Sequence, residues 1–170
     1  MAGRRSPARA AGTKARRTGA AVPPDAVKVR RAKPDDFAAV VGIDARVTGL
    51  AKPAYWQDVF RRYGRGAAAG RQFLVAEAGG KVAGFVIGEV RDWEFGSPPC
   101  GWVFAIDVDP DRRQDGIGSR LFEEIGREFR QAGVTVIRTM LSRDNALVLS
   151  FFRSHGMMAA PFIPLEIELA

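Results

Sequence analysis

Cysteine and histidine are scarce in this sequence, whose 170 residues include one of each, Cys100 and His155. One cysteine cannot close a disulfide within the chain, and two such residues are too few to complete a four-ligand zinc site. Long hydrophobic runs are also missing, since no stretch approaches the roughly 18 to 20 apolar residues that cross a bilayer. We therefore expect a cytoplasmic protein without a metal ion, an internal disulfide or a membrane span.

Acidic residues are absent from the first 24 positions, and this absence explains most of the net charge. The chain has 26 Lys and Arg against 19 Asp and Glu, a formal charge of +7, and six of the basic residues lie between Met1 and Pro24. That segment has almost nothing to bury and no periodic pattern, so residues 1–24 are predicted to form a disordered basic tail. Such a tail would bind nucleic acid only weakly and without sequence preference. Residues 25–170 are nearly neutral and are predicted to form one domain.

Strand and helix patterns alternate along that domain. Apolar residues recur at every second position in the candidate strands and at helical spacing elsewhere, with proline at helix starts and glycine at helix ends. These patterns predict strands at 27–31, 73–76, 82–90, 102–108, 134–141 and 163–169, and helices at 34–46, 53–63, 116–131 and 145–154. Their order predicts an α/β fold in which helices flank a mixed, mostly antiparallel central sheet.

One segment carries the clearest chemical signal, because Arg113, Gly116 and Gly118 follow a buried strand and open a helix. A glycine-rich turn at a helix N-terminus exposes unpaired N–H groups at the positive end of the helix dipole, which suits a diphosphate. Arg112 and Arg113 can add charge-assisted hydrogen bonds. A P-loop is excluded because no Gly-Lys-Ser/Thr follows, and a dinucleotide fingerprint because Leu121 replaces its third glycine. The plainer alternative is that these glycines serve only the turn and the packing of the helix.

Two further motifs follow the glycine-rich loop in the chain. Asn145 begins one of them, and an aromatic pair ending in Phe152, followed by Gly156, forms the other. Together with the loop, these motifs make residues 27–169 resemble the GNAT superfamily of N-acetyltransferases. The resemblance implies the GNAT fold, acetyl-CoA as cosubstrate and an amine as acceptor.

The resemblance also implies roles for individual residues. The strand around Asp107 would separate from its neighbour at a bulge, and the N–H of Ile106 or Val108 would stabilise negative charge on the thioester oxygen. The loop would hold the diphosphate of CoA, while Asn145 and Phe152 would line its pantetheine and thiol end. The cofactor-binding residues implied in this way are Ile106, Asp107, Val108, Arg113, Gln114, Asp115, Gly116, Ile117, Gly118, Ser119, Asn145 and Phe152.

Two positions depart from the pattern of the resembled family. Many relatives carry a tyrosine that protonates the departing thiolate, and the matching residue here is Phe152, which has no proton to give. Relatives that acetylate ribosomal-protein N-termini place a glutamate where this chain has Met140. Either another group or water must therefore supply the proton for efficient catalysis. The alternative is a degenerate CoA-binding sensor or interaction module without efficient catalysis.

Asp107, Glu94 and Glu89 are the predicted catalytic residues, because they lie on strands, or the turn between them, that would border the acceptor groove. Tyr55 and Trp56 belong to a helical region that would line this groove, although Trp56 could instead fill the core. The acceptor stays open between a protein lysine, a protein N-terminus and a small-molecule amine. A homodimer is compatible with the sequence.

Overall fold

A computed structural model describes residues 27–64 and 70–169 of the chain, and the predicted basic tail at residues 1–24 lies outside these ranges. None of the helices in the described ranges is long and apolar enough to cross a membrane. The elements of the described chain are β1 (Val27–Arg31), α1 (Phe37–Thr48), α2 (Pro53–Tyr63), β2 (Arg71–Ala78), β3 (Lys81–Arg91), β4 (Cys100–Val108), α3 (Ile117–Gln131), β5 (Ile137–Arg138) and α4 (Ala146–Ser154).

The strands form one sheet in the order β1-β2-β3-β4-β5. The first four are antiparallel neighbours. The last strand, β5, pairs in parallel with β4 through Gly101 with Ile137 and Trp102 with Arg138. This mixed, mostly antiparallel sheet with flanking helices confirms the predicted fold class.

Helices cover both faces of the sheet with separate apolar clusters. On one face, Leu121, Ile125 and Phe129 of α3 recur at helical spacing and are almost fully buried against the strands. On the other face, α1 and α2 contribute Val40 and Trp56 to a second cluster that also contains buried side chains of β2 and β3. Each fully buried side chain of this size contributes about 1.5 to 3 kcal/mol. The two clusters hold the sheet rigid beneath the site described below.

The strand β4 contains one residue that has no partner on β3. Ile87 pairs with Ala105 and Gly88 pairs with Val103, so Phe104 forms a β-bulge. A side chain at Gly88 would lie 2.7 Å from the carbonyl oxygen of Trp102. The absence of a side chain there therefore permits the close approach of β4 beside the bulge.

The bulge reverses the face of the sheet from which each later side chain of β4 projects. Val103 and Ile106 both pack with the α3 cluster, although they are three positions apart and regular alternation would place them on opposite faces. Because the alternation shifts at the bulge, the side chain of Asp107 faces α1 and α2.

Two strand predictions require correction. The predicted strand at 134–141 shrinks to Ile137–Arg138, because the chain then diverges from β4 and no ladder can continue. The predicted strand at 163–169 was wrong, since the structure gives it no strand pairing and leaves Leu165 93% exposed. Pro164 cannot donate to a ladder, and β5 is too short to present an edge of matching length.

Candidate active site

The divergence of β4 from β5 opens a cleft of about 370 Å³. One wall is the second half of β4, and the other is the chain that follows β5, because the two segments stop pairing beyond Trp102. The predicted residues that the structure brings together in this cleft are Ile106, Asp107, Asn145 and Phe152. Asn145 caps α4 with a side-chain oxygen that accepts the N–H of Val148 at 3.1 Å. Phe152 is only 3% exposed.

Backbone donors of β4 face this cleft. The N–H of Asp109 donates to the carbonyl of Ala83 on β3 at 2.9 Å. Successive N–H groups point to alternate sides of a strand, so the N–H of Asp107 also faces β3, while those of Ile106 and Val108 face the open side. The strand that would otherwise pair with them has diverged. These two N–H groups are therefore placed to donate to carbonyl groups of a ligand.

The loop between β4 and α3 has the conformation of an anion-binding site. Gln114 and Gly116 both have a φ of 74°, in the left-handed region, and such residues within a turn gather successive N–H groups on one side. None of the N–H groups from Gln114 to Ser119 donates to a residue that the structure describes. The positive end of the α3 dipole adds to their attraction for an anion. The predicted loop Arg113–Ser119 thus has the features of an anion-binding site.

The two glycines of the motif serve different purposes. Gly116 supplies the left-handed turn, and a side chain there would meet nothing within 4 Å. A side chain at Gly118 would lie 3.1 Å from Cε2 of Phe151 on α4. The plainer alternative, that the glycines serve only the turn and the packing of the helix, agrees with both positions, since Gly116 supplies the turn and Gly118 the packing; it does not account for the free N–H groups of the loop.

Arginine side chains brace the loop and leave one donor unused. Nε of Arg112 lies 2.8 Å from a carboxylate oxygen of Asp115, and its buried Nη2 has no partner among the described residues. Arg46 of α1 lies 2.8 Å from Asp109 and 2.7 Å from Asp111, which ties the turn before the loop to the helical face. Buried donors in proteins are normally paired, so Nη2 of Arg112 is an exception within the described chain.

A cluster of charged and aromatic side chains, from α1 and the start of α2, lines the part of the cleft that is called the acceptor end below. Asp44 of α1 is buried, and one of its oxygens accepts the indole N–H of Trp56 at 2.8 Å. Its other oxygen lies 3.0 Å from Nζ of Lys52. The Lys52 ammonium also lies 5.8 Å from the ring centre of Tyr55, within range of a cation–π contact. Trp56 therefore both fills the core and lines the cleft.

Asp107 lines the cleft, near both the charged cluster and Arg113 of the loop. Burial, and secondarily the charge of Asp44, raise the pKa of Asp107 from 3.8 to about 6, while Lys52 and Arg113 act in the opposite direction. The carboxyl group receives no hydrogen bond from the described residues that would hold it in its ionised form. A carboxylate with this pKa is ionised at neutral pH and can accept a proton.

Glu89 and Glu94, the other two predicted catalytic residues, do not line the cleft. Glu89 accepts a hydrogen bond from the hydroxyl of Tyr63 at 2.7 Å and lies 3.2 Å from Nε of Arg91. Burial and the bond to Glu89 raise the pKa of Tyr63 to about 12. Glu94 lies in a half-exposed turn, 3.9 Å from Arg91. Among the three predicted residues, Asp107 is the one that faces the cleft.

Asp44 and Lys52 were not predicted as site residues. The sequence signal for Asp44 is a carboxylate on the apolar face of α1, next to Ile43 and one turn after Val40. A buried carboxylate normally has a partner, so its position could have prompted a search for one. Lys52 lies in a short connection between two helices and carries no local signal.

Comparison with known proteins places this fold and cleft in a family. The sequence profile of the Acetyltransferase (GNAT) family matches residues 38–157. The chain therefore belongs to the Acetyltransferase (GNAT) family, as the loop and the aromatic segment had indicated.

Individual relatives match parts of the chain. It is 34% identical over 79 residues to an L-2,4-diaminobutyric acid acetyltransferase of Nocardia farcinica, which is 46% of this chain and 39% of that protein. It is 33% identical over 87 residues to a mycothiol acetyltransferase of Saccharomonospora viridis, which is 49% of this chain and 28% of that protein. The matches thus span well under half the length of both relatives.

A solved structure shares the fold over most of the chain. The aminoglycoside N-acetyltransferase AAC(6')-Iy, in complex with CoA, superposes with a TM-score of 0.74 at 17% identity. The match covers 85% of this chain and 95% of that one. At this identity the likeness shows a common fold.

Proposed function

We propose that this protein transfers the acetyl group of acetyl-CoA to a primary amine of a small molecule, by direct attack within a ternary complex. The observation that carries the proposal is the presence of two sets of free backbone donors, one in the Gln114–Ser119 loop and one at the open edge of β4. Such a set matches a ligand with a diphosphate at one end and amide and thioester carbonyls at the other.

The residues of the chain would hold acetyl-CoA in two sections. The loop N–H groups and the guanidinium groups of Arg112 and Arg113 would bind the diphosphate. The N–H of Ile106 or Val108 would face the carbonyl groups of the pantetheine arm and the thioester. Negative charge that develops on the thioester oxygen would be stabilised there, which is worth about 3 to 4 kcal/mol for a well-placed donor.

Asp107 would receive the proton of the acceptor. An alkylammonium group has a pKa of about 10.4, so it must lose a proton before it can attack. Asp107 is ionised at neutral pH and faces the acceptor end of the cleft, which allows it to accept this proton directly or through water. Phe152 supplies no acid, so we propose that CoA leaves as the thiolate, whose conjugate thiol has a pKa of about 8.5.

A small-molecule acceptor is supported by the relatives, whose names refer to diaminobutyric acid, mycothiol and aminoglycosides. The cleft volume of about 370 Å³ is of the size that small-molecule sites have. A protein lysine or N-terminus would need a groove that extends beyond this cleft.

The proposal is tested by binding and turnover together. Acetyl-CoA should raise the melting temperature of the protein, and a panel of small primary amines should include one that releases CoA thiol in an acetyl-CoA-dependent manner. A rise in melting temperature without turnover on any amine or peptide would contradict the proposed acetyl transfer. It would support the alternative of a CoA-binding sensor. No rise at millimolar acetyl-CoA would contradict both.

A further inference from the structure

The acceptor end of the cleft contains two charged groups whose hydrogen-bonding capacity is not used within the described chain. The Lys52 ammonium has three N–H donors, and its one close carboxylate among the described residues is Asp44, at 3.0 Å. The Asp107 carboxylate has no hydrogen-bond donor among the described residues. Both side chains line the same cleft.

Lys52 is held in place by groups that are themselves fixed. Asp44 is 3% exposed, and the indole of Trp56, which is 1% exposed, holds its second oxygen at 2.8 Å. The Tyr55 ring lies on a further side of the ammonium. This arrangement fixes the position of Nζ and leaves its remaining donors free for a ligand.

The free groups have opposite charges and therefore different preferences. A free ammonium donor binds a carboxylate, and a free carboxylate binds an ammonium group. With both carboxylates and the ammonium ionised, Asp44, Lys52 and Asp107 carry one net negative charge. An acceptor with two amino groups and one carboxylate has the complementary charge of +1 at neutral pH.

We infer that Lys52 determines acceptor specificity by binding a carboxylate group of the acceptor, while the amine to be acetylated lies toward Asp107. The inference rests on the proposed function and narrows its acceptor to amino acids with a side-chain amine, or closely similar zwitterions. Polyamines and other acceptors without an anionic group leave the Lys52 donors unsatisfied and place a further positive charge beside them.

The test compares acceptors that differ only in the carboxylate. L-2,4-diaminobutyrate and 1,3-diaminopropane form one pair, and L-ornithine and putrescine form a longer one. In each pair the amino acid is expected to have a KM about 10- to 100-fold lower, the size of one charge-assisted contact to a buried partner. Equal KM values within both pairs would overturn the inference.

The Lys52→Gln variant tests the residue itself. Glutamine keeps an N–H donor for Asp44 and removes the positive charge, so the KM of the amino acids should rise about 10- to 100-fold while that of the diamines does not rise. Lys52→Arg should retain the preference, and Lys81→Gln, at an exposed hairpin, should behave as the parent protein. An equal rise for amino acids and diamines would show that Lys52 only supports the fold.

The two proposals can fail separately. If no acceptor of either pair releases thiol, the proposed function fails for this acceptor class. Calorimetric titration of the same ligands into the CoA-loaded protein then tests the inference. Tighter binding of the amino acids than of the diamines can be measured without turnover. If Lys52→Gln does not fold, the comparison of acceptors on the parent protein still decides it.

Discussion

The two parts of the proposed site, the loop at its CoA end and the cleft at its acceptor end, are built from different parts of the polypeptide. At the CoA end the binding groups are mainly backbone N–H groups, gathered within six consecutive residues between Gln114 and Ser119. At the acceptor end they are side chains from α1, the α1–α2 connection and β4, held by the Asp44 bonds to Lys52 and Trp56. A site made of backbone depends on local conformation, whereas a site made of side chains depends on the packing of distant segments.

The largest effect is expected at the acceptor end, from Asp107→Asn. An asparagine cannot accept the proton of the amine, so kcat should fall about 10²- to 10⁴-fold. The parent protein should lose activity below pH 6 as Asp107 becomes protonated, and the variant should lack this ionisation. Steady-state kinetics across pH measure both effects, and Glu123→Gln on the exposed side of α3 is the matched control.

The same variant should be more stable than the parent at neutral pH. The native pKa of Asp107 is raised from 3.8 to about 6, so the folded state binds this proton more tightly than the unfolded chain. The parent therefore loses stability as the pH rises from about 4 to about 6, and the variant does not lose this contribution. Urea denaturation at both pH values checks the sign. A variant that is slower and also less stable at pH 7 would contradict the assignment.

A smaller effect is expected at the CoA end, from Gly116→Asp. Its carboxylate would place a negative charge beside the free N–H groups and the diphosphate, and CoA affinity should fall about 100-fold. Gly133→Asp is the matched control, because Gly133 has a φ of 81° and, like Gly116, has nothing within 4 Å of an added side chain. Calorimetry should show the loss of affinity in Gly116→Asp alone. Equal CoA affinities of the two variants would show that the loop does not bind CoA.

The smallest effect is expected from Trp56→Phe. This variant tests whether the hydrogen bond from Trp56 to Asp44 at the acceptor end contributes to the stability of the fold. The variant removes one of the two donors to the buried Asp44, and the free energy of unfolding should fall by about 1 to 3 kcal/mol. Trp102→Phe is the control, because its ring lies under Arg91 and is only partly buried. Chemical denaturation measures both variants. Similar losses would mean that the bond to Asp44 contributes nothing beyond ring burial.

The contrast between the two ends also explains what could be predicted from the sequence. The loop could be predicted because Gly116 and the two arginines before it lie within five positions of the chain, and their chemistry follows from local geometry. The strands and helices followed from periodicity, except where pairing depended on a neighbour, as for residues 134–141 and 163–169. The Asp44–Lys52 pair could not be predicted, because no local pattern shows that a buried carboxylate on α1 faces β4.

The bulge at Phe104 has a consequence for how such a cleft can arise. If the same sequence paired with β3 without a bulge, one alternation would run along the whole of β4, and Asp107 would face α3 while the N–H of Ile106 pointed back to β3. The bulge sets both orientations together beyond that point and leaves the earlier half of β4 anchored. The acid group and the exposed backbone donors therefore depend on one local feature, and a change that straightened β4 without shortening it would turn both away from the cleft.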